Sequence, residues 1–520
     1  MKWYQLQLLF ILVAGTTVKA QDADVQQYDL SLTLNDTTNR IAGTTGITVR
    51  YLKDVASFRL DLTGPSVNDT GMIVTAVQQN GVAVPFTQDS AGINLSVNAR
   101  EGAVRTYIIS YAGIPPDGLI ISTNRFGNRT FFTDNWPNRA HNWFPCIDHP
   151  GDKAAVSFAI IAPDHYQVVA NGLKTEETSL PGRLKRTRYR EKVPLPSKVI
   201  AIGVADFAID HPADVSGIPV YTYVFPENKD RGFRDFAKAA DILRFFIKKI
   251  GPYPYEKLAN IQSKTIFGGM ENAGAIFYAE RSVGSRTIEE LMAHEIAHQW
   301  FGDAVTETDW QHLWLSEGFA TYMAWVYLES RYGSDTLKKG MAADRQEIIA
   351  FGKKRNTPVV DTTVNDHYMQ LLNVNSYQKG SWVLHMLRRR LSDVIFWKGI
   401  RQYFATYNGK NANTDNFREV MEQVSGQDLK GFFKQWLQTA GIPVLDIRVE
   451  PMTGKEDQQV TVEQQQEPLF DFLLEYNTRD NKKVYGIDVK GKTATFGLHN
   501  GAILNADPDV NILAEIRLIQ

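Results

Sequence analysis

The stretch HEIAHQWFGDAVTETDWQHLWLSEGF, residues 294–319, places two histidines four positions apart and a glutamate nineteen positions after the second. Apolar residues before and within it recur at helical spacing, which predicts a helix through His294 and His298. Side chains four positions apart lie on one face of a helix, so both imidazoles can bind the same metal ion. Catalytic zinc sites commonly keep one position open beside their protein ligands, and Glu317 is the predicted third ligand.

Glu295 lies between the two histidines and is the predicted general base, because its carboxylate can reach a water at the metal without being a ligand. Thr287 and Glu290 fit an N-terminal capping box for this helix. A second helix is predicted from Glu317 onward. Its Gly318 is a poor helix former, which suggests that the two helices approach closely there. A mixed nitrogen and oxygen ligand set without redox chemistry favours zinc.

A second motif follows the strand-like run ANIQSKTIF, residues 259–267. Glycine beside a strand lets another backbone come close, and a free strand edge can pair with an extended peptide. The glutamate of the motif would then bind the α-amine of that peptide through a charge-assisted hydrogen bond; the alternative is a surface carboxylate in a turn. The predicted substrate-binding residues of this motif are Gly268, Gly269, Met270, Glu271 and Asn272.

Length and composition place these motifs in a multidomain globular protein. The chain has 520 residues, 43% of them hydrophobic and 22% charged, and its formal net charge of −2 gives no long-range attraction to nucleic acid. Short alternating runs predict an all-β N-terminal domain over residues 21–209. Helical patterns predict a mostly α catalytic domain over residues 210–441, with a strand-like interruption at residues 258–280. Alternation returns in residues 442–520 and predicts a small β domain.

Residues 1–20 have the three parts of a secretory signal. A basic start at Lys2 precedes an apolar run at residues 6–14 and a small-x-small exit at residues 18–20. The run is shorter than the roughly 20 residues of a membrane span, so we expect no integral membrane segment after signal removal. The alternatives are an N-terminal anchor helix and a buried strand. We therefore expect an exported protein, periplasmic or secreted, in which the single cysteine Cys146 excludes an internal disulfide.

These motifs resemble the zinc aminopeptidases related to aminopeptidase N and leukotriene hydrolase, which are gluzincin metallopeptidases. The resemblance rests on the HExxH-x18-E arrangement of residues 294–317 and on GGMEN at residues 268–272, in the family's order. It implies a β-rich N-terminal domain, a thermolysin-like catalytic domain and a small C-terminal β-sandwich, without the family's large C-terminal helical domain. It also implies one Zn²⁺ per chain and peptide substrates with a free N-terminus.

The resemblance implies further roles that spacing alone does not single out. Tyr377 would donate a hydrogen bond to the oxyanion of the tetrahedral intermediate. Within residues 133–154, the family usually has a glutamate where Trp136 stands, as a second contact for the substrate amine, and an indole cannot accept such a bond. Asp134 is the candidate replacement, and Trp136 is a candidate wall for the first side chain. The family also tends to carry an acid at the position of Ala324.

Together the motifs predict a hydrolase of the metalloprotease class, an exported zinc-dependent aminopeptidase that releases N-terminal residues from peptides. Glu295 would activate water and later protonate the leaving amine. One alternative is a zinc endopeptidase that uses the same metal site without binding the amine. The other is a peptide-binding protein without catalysis, which the departures at Trp136 and Ala324 leave open. Nothing in the sequence indicates a nucleic-acid partner or determines the oligomeric state.

Overall fold

The fold has three consecutive regions, as expected of a multidomain α+β protein. A computed structural model describes residues 22–452 and 457–519 of the chain. The predicted export signal, residues 1–20, lies outside the described residues. Strands fill the first and last regions and helices dominate the middle one, so the structure confirms the predicted fold class.

Three sheets build the N-terminal region. Its strands are β1 (Ala23–Thr33), β2 (Ile41–Tyr51), β3 (Val55–Asp61), β4 (Gly71–Gln79), β5 (Val82–Ala83), β6 (Phe86–Gln88), β7 (Gly92–Ala99), β8 (Val104–Ile114), β9 (Leu119–Thr123), β10 (Arg129–Thr133), β11 (Lys153–Pro163), β12 (Gln167–Ala170), β13 (Leu173–Leu180), β14 (Leu184–Pro196) and β15 (Ile202–Ala205). Every second residue of β11 is buried, the pattern of a strand with one face on a core. The sheet orders are β13-β14-β11-β1-β2-β8-β4-β5, β12-β15-β10-β9 and β3-β7-β6.

A five-stranded sheet opens the catalytic region. Its strands are β16 (Ala208–Val215), β17 (Ile218–Val224), β18 (Leu258–Ser263), β19 (Gly269–Met270) and β20 (Ala275–Ala279). Their order is β16-β17-β18-β20-β19, so Gly269 and Met270 lie at a sheet edge. The strand predicted over residues 259–267 ends at Ser263 as β18, and it offers no free edge because it pairs with both β17 and β20. The predicted domain boundary after residue 209 falls inside β16, because β16 pairs with β17 and not with the N-terminal sheets.

Helices form the rest of the catalytic region. They are α1 (Lys229–Phe236), α2 (Ala239–Lys249), α3 (Ile288–His298), α4 (Trp314–Tyr332), α5 (Ser334–Gly352), α6 (Gly380–Leu391), α7 (Asp393–Tyr407), α8 (Thr414–Ser425) and α9 (Lys430–Phe433), with the short strands β21 (Val305–Glu307) and β22 (Lys410–Ala412). The two helices predicted from the zinc motif are α3 and α4, which pack against each other. The predicted capping box is wrong: no side chain caps α3, because the hydroxyl of Thr287 is bonded to Ser285 at 3.0 Å.

The C-terminal region consists of two sheets, as predicted for a small β-sandwich. Its strands are β23 (Val444–Pro451), β24 (Asp457–Gln464), β25 (Phe472–Thr478), β26 (Tyr485–Val489), β27 (Thr493–His499), β28 (Leu504–Ala506) and β29 (Glu515–Ile519). It is tied to α5 by Arg345, whose Nη1 atom lies 2.5 Å from Oδ2 of Asp507. In residues 22–452 and 457–519, no helix combines the length and the hydropathy that crossing a membrane requires.

Candidate active site and metal centre

The two histidines of α3 direct nitrogen atoms to the same point. The Nε2 atoms of His294 and His298 are 3.0 Å apart. Nδ1 of His298 lies 3.1 Å from the carbonyl oxygen of Phe301, a contact in which Nδ1 carries the proton and Nε2 keeps its lone pair. The pair therefore offers two nitrogen ligands on one side of the helix, at the place the sequence predicts.

Glu317 completes the ligand set from the first turn of α4. Its Oε2 atom lies 3.4 Å from Nε2 of His294 and 3.2 Å from Nε2 of His298. Ligands that stand about 2 Å from a tetrahedral ion are separated from each other by roughly 3.3 Å. The three side chains therefore fit zinc in both chemistry and spacing.

The electrostatics of the three groups also favour a cation. Burial lowers the pKa of His294. Burial acts on His298 in the same direction, but the carboxylates of Glu317 and Glu271 outweigh it and raise the pKa of His298 to about 10. Although burial opposes the charged form of Glu317, His298 holds the pKa of that carboxyl below its usual range. A positive charge is thus stabilised where the three ligands meet.

Glu295 lies on α3 and is buried where this helix faces the edge strand β19. A Cβ atom added to Gly269 would lie 2.2 Å from Oε1 and 2.4 Å from Cδ of Glu295. The structure therefore gives a second reason for this glycine, besides the predicted approach of a substrate backbone. Burial raises the pKa of the Glu295 carboxyl well above its usual value. A carboxyl shifted in this direction can exchange protons closer to neutral pH.

Glu271 projects from the end of β19 into the same space. It is 5% exposed, and within the described residues its Oε1 atom has no hydrogen-bond partner. Its backbone is fixed by Gln299, whose Nε2 donates to the Glu271 carbonyl at 2.7 Å while its Oε1 accepts from the Gly274 amide at 2.7 Å. Gln299 was not predicted, because a buried amide beside a ligand histidine has no spacing signature. It anchors the Glu271 loop to the end of α3.

Tyr377 faces the histidines from a π-helical turn, Asn375–Lys379. Its ring stacks on that of His294, with centroids 6.0 Å apart and planes 12° apart. The turn leads into α6, where a Cβ atom on Gly318 would lie 2.9 Å from Cα of Gly380. The close approach predicted at Gly318 therefore exists, but its partner is the segment that carries Tyr377 and not α3.

Two predicted substrate-binding residues do not line the cavity. Oδ1 of Asp134 accepts from Arg139 at 2.6 Å. Its Oδ2 accepts from the Thr265 hydroxyl and the Ile266 amide, both at 3.0 Å. Asp134 therefore orders the chain before β19, and its side chain is fully buried with both oxygens bonded to protein groups, which corrects its predicted role. Asn272 is buried, and both polar atoms of its amide lack partners within the described residues.

One cavity of about 690 Å³ joins the remaining groups. Trp136 forms part of its wall, and the Trp136 ring packs edge to face on Phe267 and Trp310, with centroids 6.1 and 5.6 Å away. Thr287 and Glu290, which do not cap α3, line another part of the wall. The predicted site residues that line the cavity are Gly268, Gly269, Met270, Glu271, His294, Glu295, His298, Glu317 and Tyr377.

The sequence of the chain is similar to those of known proteins. Residues 235–436 match the Peptidase family M1 domain, and residues 25–199 match the Peptidase M1 N-terminal domain. The chain is 28% identical to Aminopeptidase 2 of Candida albicans over 326 residues, which are 60% of this chain and 35% of that protein. It is 26% identical to Aminopeptidase M1 of Arabidopsis thaliana over 454 residues, which are 82% of this chain and 51% of that protein.

The fold is also that of a solved structure. The M1 zinc metallopeptidase from Deinococcus radiodurans superposes with a TM-score of 0.69 at 25% identity, and the match covers 81% of this chain and 95% of that one. Human glutamyl aminopeptidase is 28% identical over 341 residues, which are 62% of this chain and 35% of that protein. The chain therefore spans about a third to a half of the length of the curated relatives it matches.

Proposed function

Because the chain belongs to peptidase family M1, we propose that it is an exported zinc aminopeptidase that hydrolyses the N-terminal bond of peptides. The proposal is carried by one observation, the buried Oε1 atom of Glu271 that lacks a partner within the described residues. An ammonium group would give this oxygen a charge-assisted hydrogen bond, which is stronger than a bond from a neutral donor. One zinc ion held by His294, His298 and Glu317 would supply a Lewis acid that polarises the carbonyl and acidifies water.

The distances support an exopeptidase. The ligand-type atoms of Glu271, Glu295 and His298 lie within 4.8 Å of one another. The nitrogen and carbonyl carbon of one residue are separated by about 2.5 Å. An amine on Glu271 therefore holds the first carbonyl of the peptide beside Glu295 and the ligand set. A chain continuing past Glu271 would leave that carboxylate buried without a cation, which disfavours an endopeptidase.

The remaining side chains supply the proton transfers. Glu295 accepts a proton from the attacking water and then donates it to the nitrogen of the leaving peptide. Tyr377 is placed over His294 and donates a hydrogen bond to the oxygen of the tetrahedral intermediate, where negative charge develops. Gln299 keeps the Glu271 loop in position during both steps.

Export is proposed from the order of features in residues 1–20. Expression of the full chain in a Gram-negative host, followed by fractionation and mass spectrometry of the N-terminus, tests this. A periplasmic product that begins at Gln21 supports the proposal. A product that keeps Met1 and stays in the cytoplasm contradicts it.

The aminopeptidase proposal is tested with a panel of aminoacyl-p-nitroanilides, each with its amine free and with its amine acetylated. Wild type, Glu271→Ala and Glu271→Gln are compared, and zinc content is measured on the same samples. We expect wild type to cleave only free-amine substrates. Both variants should keep their zinc and lose about 100-fold in kcat/KM, the size expected for one buried charge-assisted hydrogen bond.

Each other outcome selects a different function. Equal cleavage of acetylated and free substrates supports the endopeptidase. Bound zinc without cleavage of any substrate supports a peptide-binding protein, and Trp136 and Ala324 are then the positions to restore first. Loss of zinc from Glu271→Gln would show that Glu271 acts on the metal site and not on the amine.

A further inference from the structure

The cavity extends past the proposed ligands His294, His298 and Glu317 to an end that lies away from the proposed amine site at Glu271. Along β19, the chain runs from Glu271 to Gly269, which faces Glu295. It continues to Gly268, where the nearest atom to an added Cβ is Cδ1 of Leu291 at 3.8 Å. An extended peptide with its amine on Glu271 therefore passes Glu295 and leaves toward the N-terminal half of α3. The side chain that follows the scissile bond enters this end.

Three helices form the walls of this end. Glu290 precedes the ligand His294 by one helical turn on α3. On α4, Thr321 and Ala324 follow Glu317 by four and seven positions, so all three lie on the same face of the helix. The short side chain of Ala324 leaves the cavity open as far as α5. The lining residues here are Thr287, Glu290, Leu291, Thr321, Ala324, Trp325 and Asp344.

Asp344 is a buried carboxylate in this wall. It is only 6% exposed, and its Oδ2 accepts a hydrogen bond from Nε1 of Trp325 at 2.9 Å. A Cβ atom on Gly340 would lie 2.6 Å from the Trp325 ring, so glycine allows that indole to pack on α5 and reach Asp344 one turn later. Among the described residues, no lysine, arginine or histidine pairs with Asp344, and no donor bonds its Oδ1. A buried carboxylate without a cation is unfavourable unless a ligand brings one.

Burial and the neighbouring carboxylates disfavour the charged form of Asp344 as long as no cation is bound. Burial raises the pKa of Asp344 to about 7, and the carboxylates of Glu347 and Glu290 act in the same direction. The hydroxyl of Thr321 also lines the cavity and has no partner within the described residues. Arg281, the only arginine or lysine among the described lining residues, is exposed. The buried part of this end is therefore acidic.

We propose that this end selects lysine or arginine as the residue after the scissile bond, with Asp344 and Glu290 binding its cationic group. The inference rests on the proposed function, since it places the substrate amine on Glu271. The aliphatic stem of a lysine or arginine would lie along Leu291 and Ala324 while its charged end reaches Asp344. The preferred substrates are thus peptides with a free N-terminus and a basic second residue.

The test compares leucyl-lysine amide with leucyl-norleucine amide, which has a similar methylene stem without the charge. Release of leucine by the zinc-loaded full chain gives kcat/KM for each. We expect a lysine-to-norleucine ratio of about 10, the size of one partly buried charge-assisted hydrogen bond. Asp344→Asn should bring the ratio to below about 3 on the same reasoning. The control Asp335→Asn removes an exposed acid in the first turn of α5, outside the cavity wall, and should keep the wild-type ratio.

A second measurement does not depend on any variant. Leucyl-arginine amide and leucyl-citrulline amide, whose second residues have similar shape but differ in charge, are compared as substrates of the wild type, and we expect about tenfold higher kcat/KM for the arginine peptide. Equal kcat/KM within both pairs of dipeptide amides would overturn this inference and leave the aminopeptidase function intact. Zinc-loaded protein that cleaves none of these dipeptide amides would overturn the proposed function, and this inference with it.

Discussion

Replacing Gly269 with alanine tests whether the edge strand sets the position of the general base. The added Cβ would lie 2.2 Å from Oε1, 2.4 Å from Cδ and 2.6 Å from Cγ of Glu295, whereas ordinary contacts begin at 3.4 Å. The difference between 3.4 and 2.2 Å requires a shift of about 1.2 Å. Glu295 is buried, so its carboxylate has little room to move away while keeping its direction toward the ligands.

The magnitude follows from the sensitivity of proton transfer to geometry. A misplacement of about 1 Å in a catalytic group costs on the order of 100-fold in rate. Gly269→Ala should therefore lower kcat for leucine p-nitroanilide about 100-fold by the same reasoning. The three atoms nearest to the added Cβ all belong to Glu295 and none to His294, His298 or Glu317, so the zinc content is expected to stay at the wild-type level. Metal analysis and thermal unfolding accompany the kinetics.

The neighbouring glycine supplies the matched control. A Cβ on Gly268 meets only Cδ1 of Leu291, at 3.8 Å, which is an ordinary contact. Gly268→Ala should therefore lose less than about fivefold in kcat, because no catalytic group has to move. The reasoning is refuted if Gly269→Ala keeps more than half of the wild-type kcat, or if both alanine variants lose the same factor.

Three further changes test other parts of the structure. Lys198→Met leaves Glu307 without its buried partner at 2.5 Å, and should lower the free energy of unfolding by about 3 kcal/mol in urea titrations; a change below about 1 kcal/mol would contradict it. Burial raises the pKa of Asp152 to about 8, so the folded state binds the extra proton and stability falls as pH rises from about 4 to 8. Asp152→Asn should flatten that slope in thermal unfolding between these pH values, and an unchanged slope would refute the assignment. Gly318→Ala brings a Cβ to 2.9 Å from Cα of Gly380 and should lower kcat about tenfold by displacing the Tyr377 turn, whereas an unchanged kcat would show that the turn tolerates the shift.

The sequence predicts those parts of the site that follow from one periodic element. His294, Glu295 and His298 lie on one helix, so the 3.6-residue period alone brings them together. Glu317 begins a second segment with helical periodicity, which forms part of α4 in the structure. The number of residues between His298 and Glu317 is given by the motif. A sheet edge was expected at the strand of residues 259–267, but that segment forms the inner strand β18, and the edge is the separate strand β19 that follows it.

Other parts depend on packing between elements that no local pattern records. Asp134 has the charge expected for amine binding, but Arg139 and the chain before β19 use both of its oxygens. Thr287 and Glu290 have the residue types of a capping box, yet Ser285 binds the threonine hydroxyl instead. Asp344 lies in the cavity wall only because α5 packs on α4. Such contacts require the relative placement of helices, which periodicity does not supply.

Close approaches at glycines set the spacing of the groups that act in the cavity. Gly269 brings the edge strand against the general base, and Gly318 brings α4 against the turn that carries the tyrosine. Gly340 lets the indole of Trp325 pack closely on α5, where it donates a hydrogen bond to Asp344. The residue after that acid, Arg345, is bound to Asp507 and to the Ile512 carbonyl, which lie between β28 and β29, so the C-terminal region holds the helix that forms the far wall. The C-terminal region thus holds α5 in the cavity wall, whereas the three proposed ligands lie on α3 and α4.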